Sequence, residues 1–252
     1  MEKKPMTASI IMVCMLLLAV QSLFAQNTFR YEYPVKPGAP EWRELSLRQK
    51  RAVQQIPENI LRDMSTQELL QAWMDLPGRL EVLAFNTMQQ GFDVTVKHYN
   101  VLSELLDRED AGSVVLAYYL EIDPSGMKLV WSSRQKGKFI TDIAFVEFLL
   151  SQPTVLSRLS KMEKKQLLKS CVDNLYKKQA FRNRERNFFW VRSAIILAGR
   201  ILENEKNNQF LQKISQDEDM KRALNTGKAS SKAVYEKLCE AVINIAENYS
   251  SP

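Results

Sequence analysis

The sequence predicts an all-α protein: antiparallel helix pairs in an α/α-superhelix-like array, or an irregular multi-helix bundle. Three observations lead there. Glycine is scarce, 8 residues of 252, well under the usual ~7%, so turn-dense β architectures lack their punctuation. Capping boxes stand ahead of apolar runs at Ser65-Thr66-Gln67-Glu68 and Ser160-Lys161-Met162-Glu163. No proline falls between Pro153 and Pro252, and the apolar residues of that half recur at helical spacing.

The chain opens with Lys3 and Lys4, an apolar run from Ile10 to Val20, and Leu23-Phe24-Ala25. These are the three parts of a secretory signal, with cleavage expected near Ala25. The apolar run is shorter than the ~20 residues a membrane span needs. Cys14 lies inside it and follows Val13 rather than a small residue, which argues against lipidation. The expected organisation is a signal peptide at 1–25, an extended N-terminal arm at 26–41 and a helical domain at 42–252. Pro34, Pro37 and Pro40 keep the arm out of a helix. Phe29, Tyr31 and Tyr33, interleaved with them, are expected to pack on the domain.

Within the domain, Leu69, Leu70, Trp73 and Met74 follow the first capping box, and Pro77-Gly78 ends that helix. The next is read from Leu80 to Gln90, with Gly91 as its breaker, and a further one from Phe92 to Leu106. Acidic residues at 107–110 suit the start of the helix that carries Val114 to Leu120. Asp123-Pro124-Ser125-Gly126 is the strongest internal breaker. Residues 127–131 are compatible with a short strand, and 132–138 read as a polar loop. Leu168, Cys171, Val172, Leu175 and Tyr176 then form one apolar face. Phe188 to Leu202 is apolar nearly all round and reads as the buried central helix. Tyr235, Leu238, Cys239, Val242, Ile245, Ala246 and Tyr249 stripe the last. Eight to ten helices of 10–20 residues are expected in all.

Several fragments between Met64 and Asp123 form a pattern: Met64-Ser65-Thr66, Ala84-Phe85-Asn86-Thr87, Gln90-Gly91-Phe92, and Glu104-Leu105-Leu106-Asp107-Arg108 followed by Asp110-Ala111. In these, about a quarter of the chain, the sequence resembles an uncharacterised exported helical protein family of gut Bacteroidetes. The resemblance implies export and a helical fold, and it carries no catalytic residue.

Composition narrows the chemistry. One histidine and three cysteines remove most metal-binding and His-based catalytic arrangements, and no cofactor or metal is expected. Phosphate-cradling glycine loops and Gly-x-Ser-x-Gly elbows are absent from the sequence. His98 has Val94 and Leu102 at i−4 and i+4, so its own helix offers it no catalytic partner. The acidic clusters Asp107, Glu109, Asp110 and Asp217, Glu218, Asp219 read as helix starts. The export signal leaves Cys171 and Cys239 as the only thiols, in a compartment that permits a bridge between them.

The segment 161–186 is the most suggestive feature. Lys161, Lys164, Lys165, Lys169, Lys177, Lys178, Arg182, Arg184 and Arg186 stand there against Glu163, Asp173 and Glu185. Lys177, Lys178, Arg182, Arg184 and Arg186 are the candidate ligand-binding residues. The leading functional expectation is a non-enzymatic interaction or scaffold protein of the envelope, in the periplasm or at the cell surface, whose partner is another envelope or secreted protein. The alternative is a binding module for anionic polysaccharide or lipid head groups through those five residues. A glycan-processing enzyme using paired carboxylates stands third. Export argues against a nucleic-acid partner.

Overall fold

The computed structural model describes residues 29–128, 130–185 and 188–250, the side chains of 180–190 and of 250 excepted. The expected signal peptide lies outside them. In chain order the α-helices are α1 Pro40–Glu44, α2 Leu47–Ala52, α3 Glu58–Asp63, α4 Thr66–Asp75, α5 Met88–His98, α6 Asn100–Asp107, α7 Ala111–Leu120 and α8 Ser133–Leu150. There follow α9 Pro153–Ser157, α10 Lys161–Glu185, α11 Phe188–Asn204, α12 Asn208–Ser215, α13 Glu218–Thr226 and α14 Lys232–Ser250. Short 3₁₀ helices cover Pro77–Ala84 and Pro124–Gly126. No strand occurs among the described residues. The fold is an all-α multi-helix bundle with more and shorter helices than the sequence predicts, because 3₁₀ turns and proline starts divide its first half.

The core is organised around α11, which packs against α8, α10 and α14. Val191, Ala194 to Ala198, Ile201 and Leu202 are buried on it, as expected of a helix apolar on all sides. One hydrophobic cluster runs from Tyr33 to Ala246 and joins both halves of the chain. A small satellite of Met127, Ile140 and Ile143 sits beneath Trp131 and Phe139.

Both capping boxes form. The Ser65 hydroxyl accepts from Glu68 N, and the Glu68 carboxylate accepts from Ser65 N at 2.8 Å. Ser160 and Glu163 make the same exchange. A third box, Ser132 with Gln135, starts α8, so 132–138 is a helix start and not a loop. Gln at the fourth position serves as well as Glu there, because its side-chain oxygen supplies the same acceptor. The described residues of the expected strand at 127–131 are not in strand conformation, and Trp131 N donates to Lys128 O at 3.1 Å.

Gly91 does not break a helix either, since α5 runs through it. A Cβ at that position would lie 2.0 Å from the Val82 carbonyl oxygen. The glycine is therefore the point where α5 meets the Pro77–Ala84 helix backbone to backbone. The break falls at Tyr99, which is extended between α5 and α6. Gly227 ends α13 at φ 72°, the left-handed conformation of a C-terminal cap.

The arm runs along α4. Phe29 N donates to Glu68 at 2.8 Å, Arg30 grips Asp75 through two bonds of 2.8 and 2.9 Å, and the Tyr33 hydroxyl donates to Ala72 O at 3.1 Å. Tyr33 is buried and Tyr31 half-buried, while Phe29 stays exposed.

Candidate functional site

The basic segment occupies α10, and the helix divides its charges. Leu168, Cys171, Val172 and Leu175 face the core. Lys178 stands three residues beyond Leu175 and seven beyond Cys171, on that same face, and is 0% exposed. It points inward and cannot meet a ligand at the surface, which corrects its place among the five candidates. Tyr176, expected on the apolar face, is instead exposed, and its hydroxyl donates to Glu247. Lys177 is exposed and pairs with Asp123 at 3.1 Å. Lys164 pairs with Glu205 at 3.1 Å, both carbon stems largely covered. The side chains of Arg182, Arg184 and Arg186 lie outside the described residues. Lys161 and Lys169 remain outward-facing.

Lys178 enters a closed polar cluster where α7, α8, α10 and α11 meet. The Glu147 carboxylate, also 0% exposed, accepts four hydrogen bonds. Lys178 Nζ donates to both of its oxygens, at 2.5 Å to Oε2. Tyr119 donates to Oε1 at 2.9 Å and Ser193 to Oε2 at 2.5 Å. Burial lowers the Lys178 pKa, with Glu147 acting against it. Burial, reinforced by the Glu147 charge, lifts the Tyr119 hydroxyl far above its ordinary value. The Cys171 thiol, raised for the same two reasons, donates to Ala194 O at 3.1 Å. Each helix at this crossing supplies a donor or the acceptor, so the cluster fixes their rotations about one carboxylate. A buried charge is tolerated only when paired and hydrogen-bonded in this way.

His98 finds a partner that its own helix does not provide. Glu81, from the Pro77–Ala84 helix, brings Oε1 to 3.3 Å from His98 Nδ1. The same carboxylate accepts from the Tyr99 hydroxyl at 3.0 Å and from Arg51. Its pKa is lowered although burial alone would raise it, because Arg51 and Tyr99 donate to it. The group ties α2, the 3₁₀ helix and the α5–α6 junction together, beside the exchange between Gln55, Ile56 and Asn100.

Of the two acidic clusters, one caps a helix start: Asp217 caps α13 through Asp219 N and Met220 N and accepts from Lys237. Asp110 stands before α7 without a side-chain capping bond and accepts instead from the Thr66 hydroxyl at 2.5 Å. Cys171 and Cys239 are not joined in a disulfide. Among the described residues, no group of three or more His, Cys, Asp or Glu side chains is placed to hold a metal ion. No described helix is long and apolar enough to cross a membrane. No protein-family model, curated protein or solved structure matches the chain.

A surface hollow of about 330 Å³ lies between the arm and helices α3 and α4. Phe29, Ile60 and Met64 make its apolar walls, and Asp63 and Glu68 stand beside them. Phe29 is 48% exposed. The sequence offers a signal for it, an aromatic at the start of a proline-rich arm. Its position against Ile60 depends on the docking of Tyr33 and Arg30.

Proposed function

We propose that the protein is an exported, non-enzymatic helical interaction protein of the cell envelope, and that it holds an extended segment of another envelope or secreted protein. The hollow formed by Phe29, Ile60 and Met64 is the observation that carries this reading. An apolar anchor side chain suits its walls, and Asp63 and Glu68 favour a Lys or Arg beside that anchor. The frame behind it is already ordered: the arm is tied to α4 at three points, which keeps the entropy lost on binding low. Glu147 and Lys178, the strongest acid and base candidates in the core, are engaged with one another and closed to solvent, which supports a framework role for them.

The test is in-cell cross-linking and pull-down, comparing the parent with a Phe29→Asp/Ile60→Asp variant and with a variant neutralised at Lys177, Arg182, Arg184 and Arg186. One recurrent protein partner, kept by the charge variant and lost by the hollow variant, is expected. Recovery of envelope glycan or lipid instead, lost on neutralisation, would establish the anionic-ligand alternative. A partner that the hollow variant retains would overturn the assignment of the site.

A further inference from the structure

A second surface region, formed by the arm, the end of α4 and the start of α8, has a different chemistry. Between the arm and the end of α4 lies a furrow of about 390 Å³. Tyr31 walls it, edge-on to Tyr33 with ring centroids 5.1 Å apart, and the Arg30–Asp75 pair and two prolines complete it. Beside the first turns of α8 lies another furrow, of about 290 Å³, walled by Trp131 and Phe139. Those two rings also stand edge to face, at 5.4 Å. The Lys138–Asp142 pair, at 2.5 Å, forms its polar side. Arg79 connects the two: it donates to Asp142 on α8 and reaches the Met74 sulfur at 3.7 Å, one residue before Asp75 on α4.

Each carboxylate of this face is already paired: Asp75 with Arg30, Glu32 with Lys36 at 3.4 Å, and Asp142 with both Lys138 and the buried Arg79. An ionic ligand would have to displace one of these pairs. A polyhydroxylated one gains more, because a hydroxyl both donates and accepts and can bond to a carboxylate or ammonium without separating the pair. The half-buried rings at either end supply apolar, polarisable faces on which the C–H side of a pyranose can lie. Each furrow is at the small end of ligand sites, which run from ~300 Å³ upward, so one or two sugar units would fit in each.

We propose that this face binds a neutral oligosaccharide, with Tyr31 and Trp131 as its two ring platforms and the Arg30–Asp75 and Lys138–Asp142 pairs as its hydroxyl partners. The site shares no residue with the Phe29 hollow and does not rest on the protein-binding reading. The test is to probe the purified protein against immobilised hexaoses of cellulose, mannan, xylan and chitin, then to titrate any that bind by calorimetry. Binding of at least one is expected, weakened about tenfold or more by Trp131→Ala and by Tyr31→Ala, since aromatic anchors dominate such contacts. Tyr31→Phe, which keeps the ring, is expected to retain binding, and unchanged melting temperatures would show that the variants remain folded. Failure to bind any of the four at millimolar concentration would overturn the proposal. So would affinity unchanged in both alanine variants, or retention of heparin alone.

Discussion

Replacing Glu147 by Gln is the most informative perturbation of the core. The substitution keeps the side chain's shape and an oxygen to accept from Tyr119 or Ser193, and it removes the carboxylate that pairs with the Lys178 ammonium. Both ions are fully buried, and breaking a buried pair on one side destabilises by ~3–5 kcal/mol. Against a typical total of ~5–15 kcal/mol, that is a third of the stability or more. Lys178→Met strands the carboxylate and is expected to have a loss of similar size. The double variant Glu147→Gln/Lys178→Met has no charge left to strand, and its loss should be ~1–2 kcal/mol, the value of the hydrogen bonds alone. The two single losses therefore exceed the double by several kcal/mol. Urea denaturation with a shared slope measures all four corners of the cycle. In Glu147→Gln the Lys178 ammonium loses the group opposing its desolvation, so its folded pKa falls further below the unfolded ~10.4. Between those two values the folded state binds fewer protons than the unfolded, and stability rises with pH. The Glu147→Gln deficit should thus shrink from pH 7 towards pH 10. Additive losses within ~0.5 kcal/mol, or a deficit that grows with pH, would refute this account of the cluster.

Three further outcomes are expected. Gly91→Ala drives a methyl into the Val82 carbonyl and should lower stability by ~1–3 kcal/mol or more, measured by the urea midpoint; a neutral result would mean that the two helices are not in backbone contact. Tyr33→Ala empties the socket beside Ala72 and should destabilise by ~3–5 kcal/mol, while amide exchange in 29–39 rises ahead of the rest. Ser160→Ala should remove ~1 kcal/mol of capping and flatten the acid limb of the stability curve. The Glu163 carboxyl is held below its ordinary value mainly by the Ser160 hydroxyl and backbone, so its contribution is full above the unfolded ~4.3 and fades as pH falls through the lower folded value.

Much of the fold was legible because it is written in local chemistry. The capping boxes at Ser65 and Ser160, the apolar run of α11 and the stripe of α14 each state a helix within four to twenty residues. Gly91 misled because a glycine inside a helix can mark either a break or a close approach, and only Val82, nine residues earlier, distinguishes them. The buried cluster left two traces. Glu147 is the one charge in the run Ile143 to Leu150, and Lys178 continues the 3-4-3 spacing of Leu168, Cys171 and Leu175. Neither trace names its partner, since the pairing is made across 31 residues by the packing of α8 on α11 and of α11 on α10. The approach of Glu81 to His98 was hidden for the same reason. The two furrows are more remote still: Tyr31 and Trp131 share a face only through the arm, α4 and α8 together.

Arg200 carries a consequence for the order in which the chain can be completed. Burial, which brings its pKa down to about 10, leaves it surrounded by neutral acceptors. Its N–H groups donate to Ser151 O and Oγ, Gln89 Oε1, Leu224 O and Asn225 O. Those acceptors come from α5, the α8–α9 junction and α13. A chain emerging from its N-terminus first must therefore hold the region around Gln89 unfinished until residue 225 has followed. Both halves share one hydrophobic core, and a break introduced between Ser151 and Arg200 would place Arg200 on one fragment and its Ser151 and Gln89 acceptors on the other.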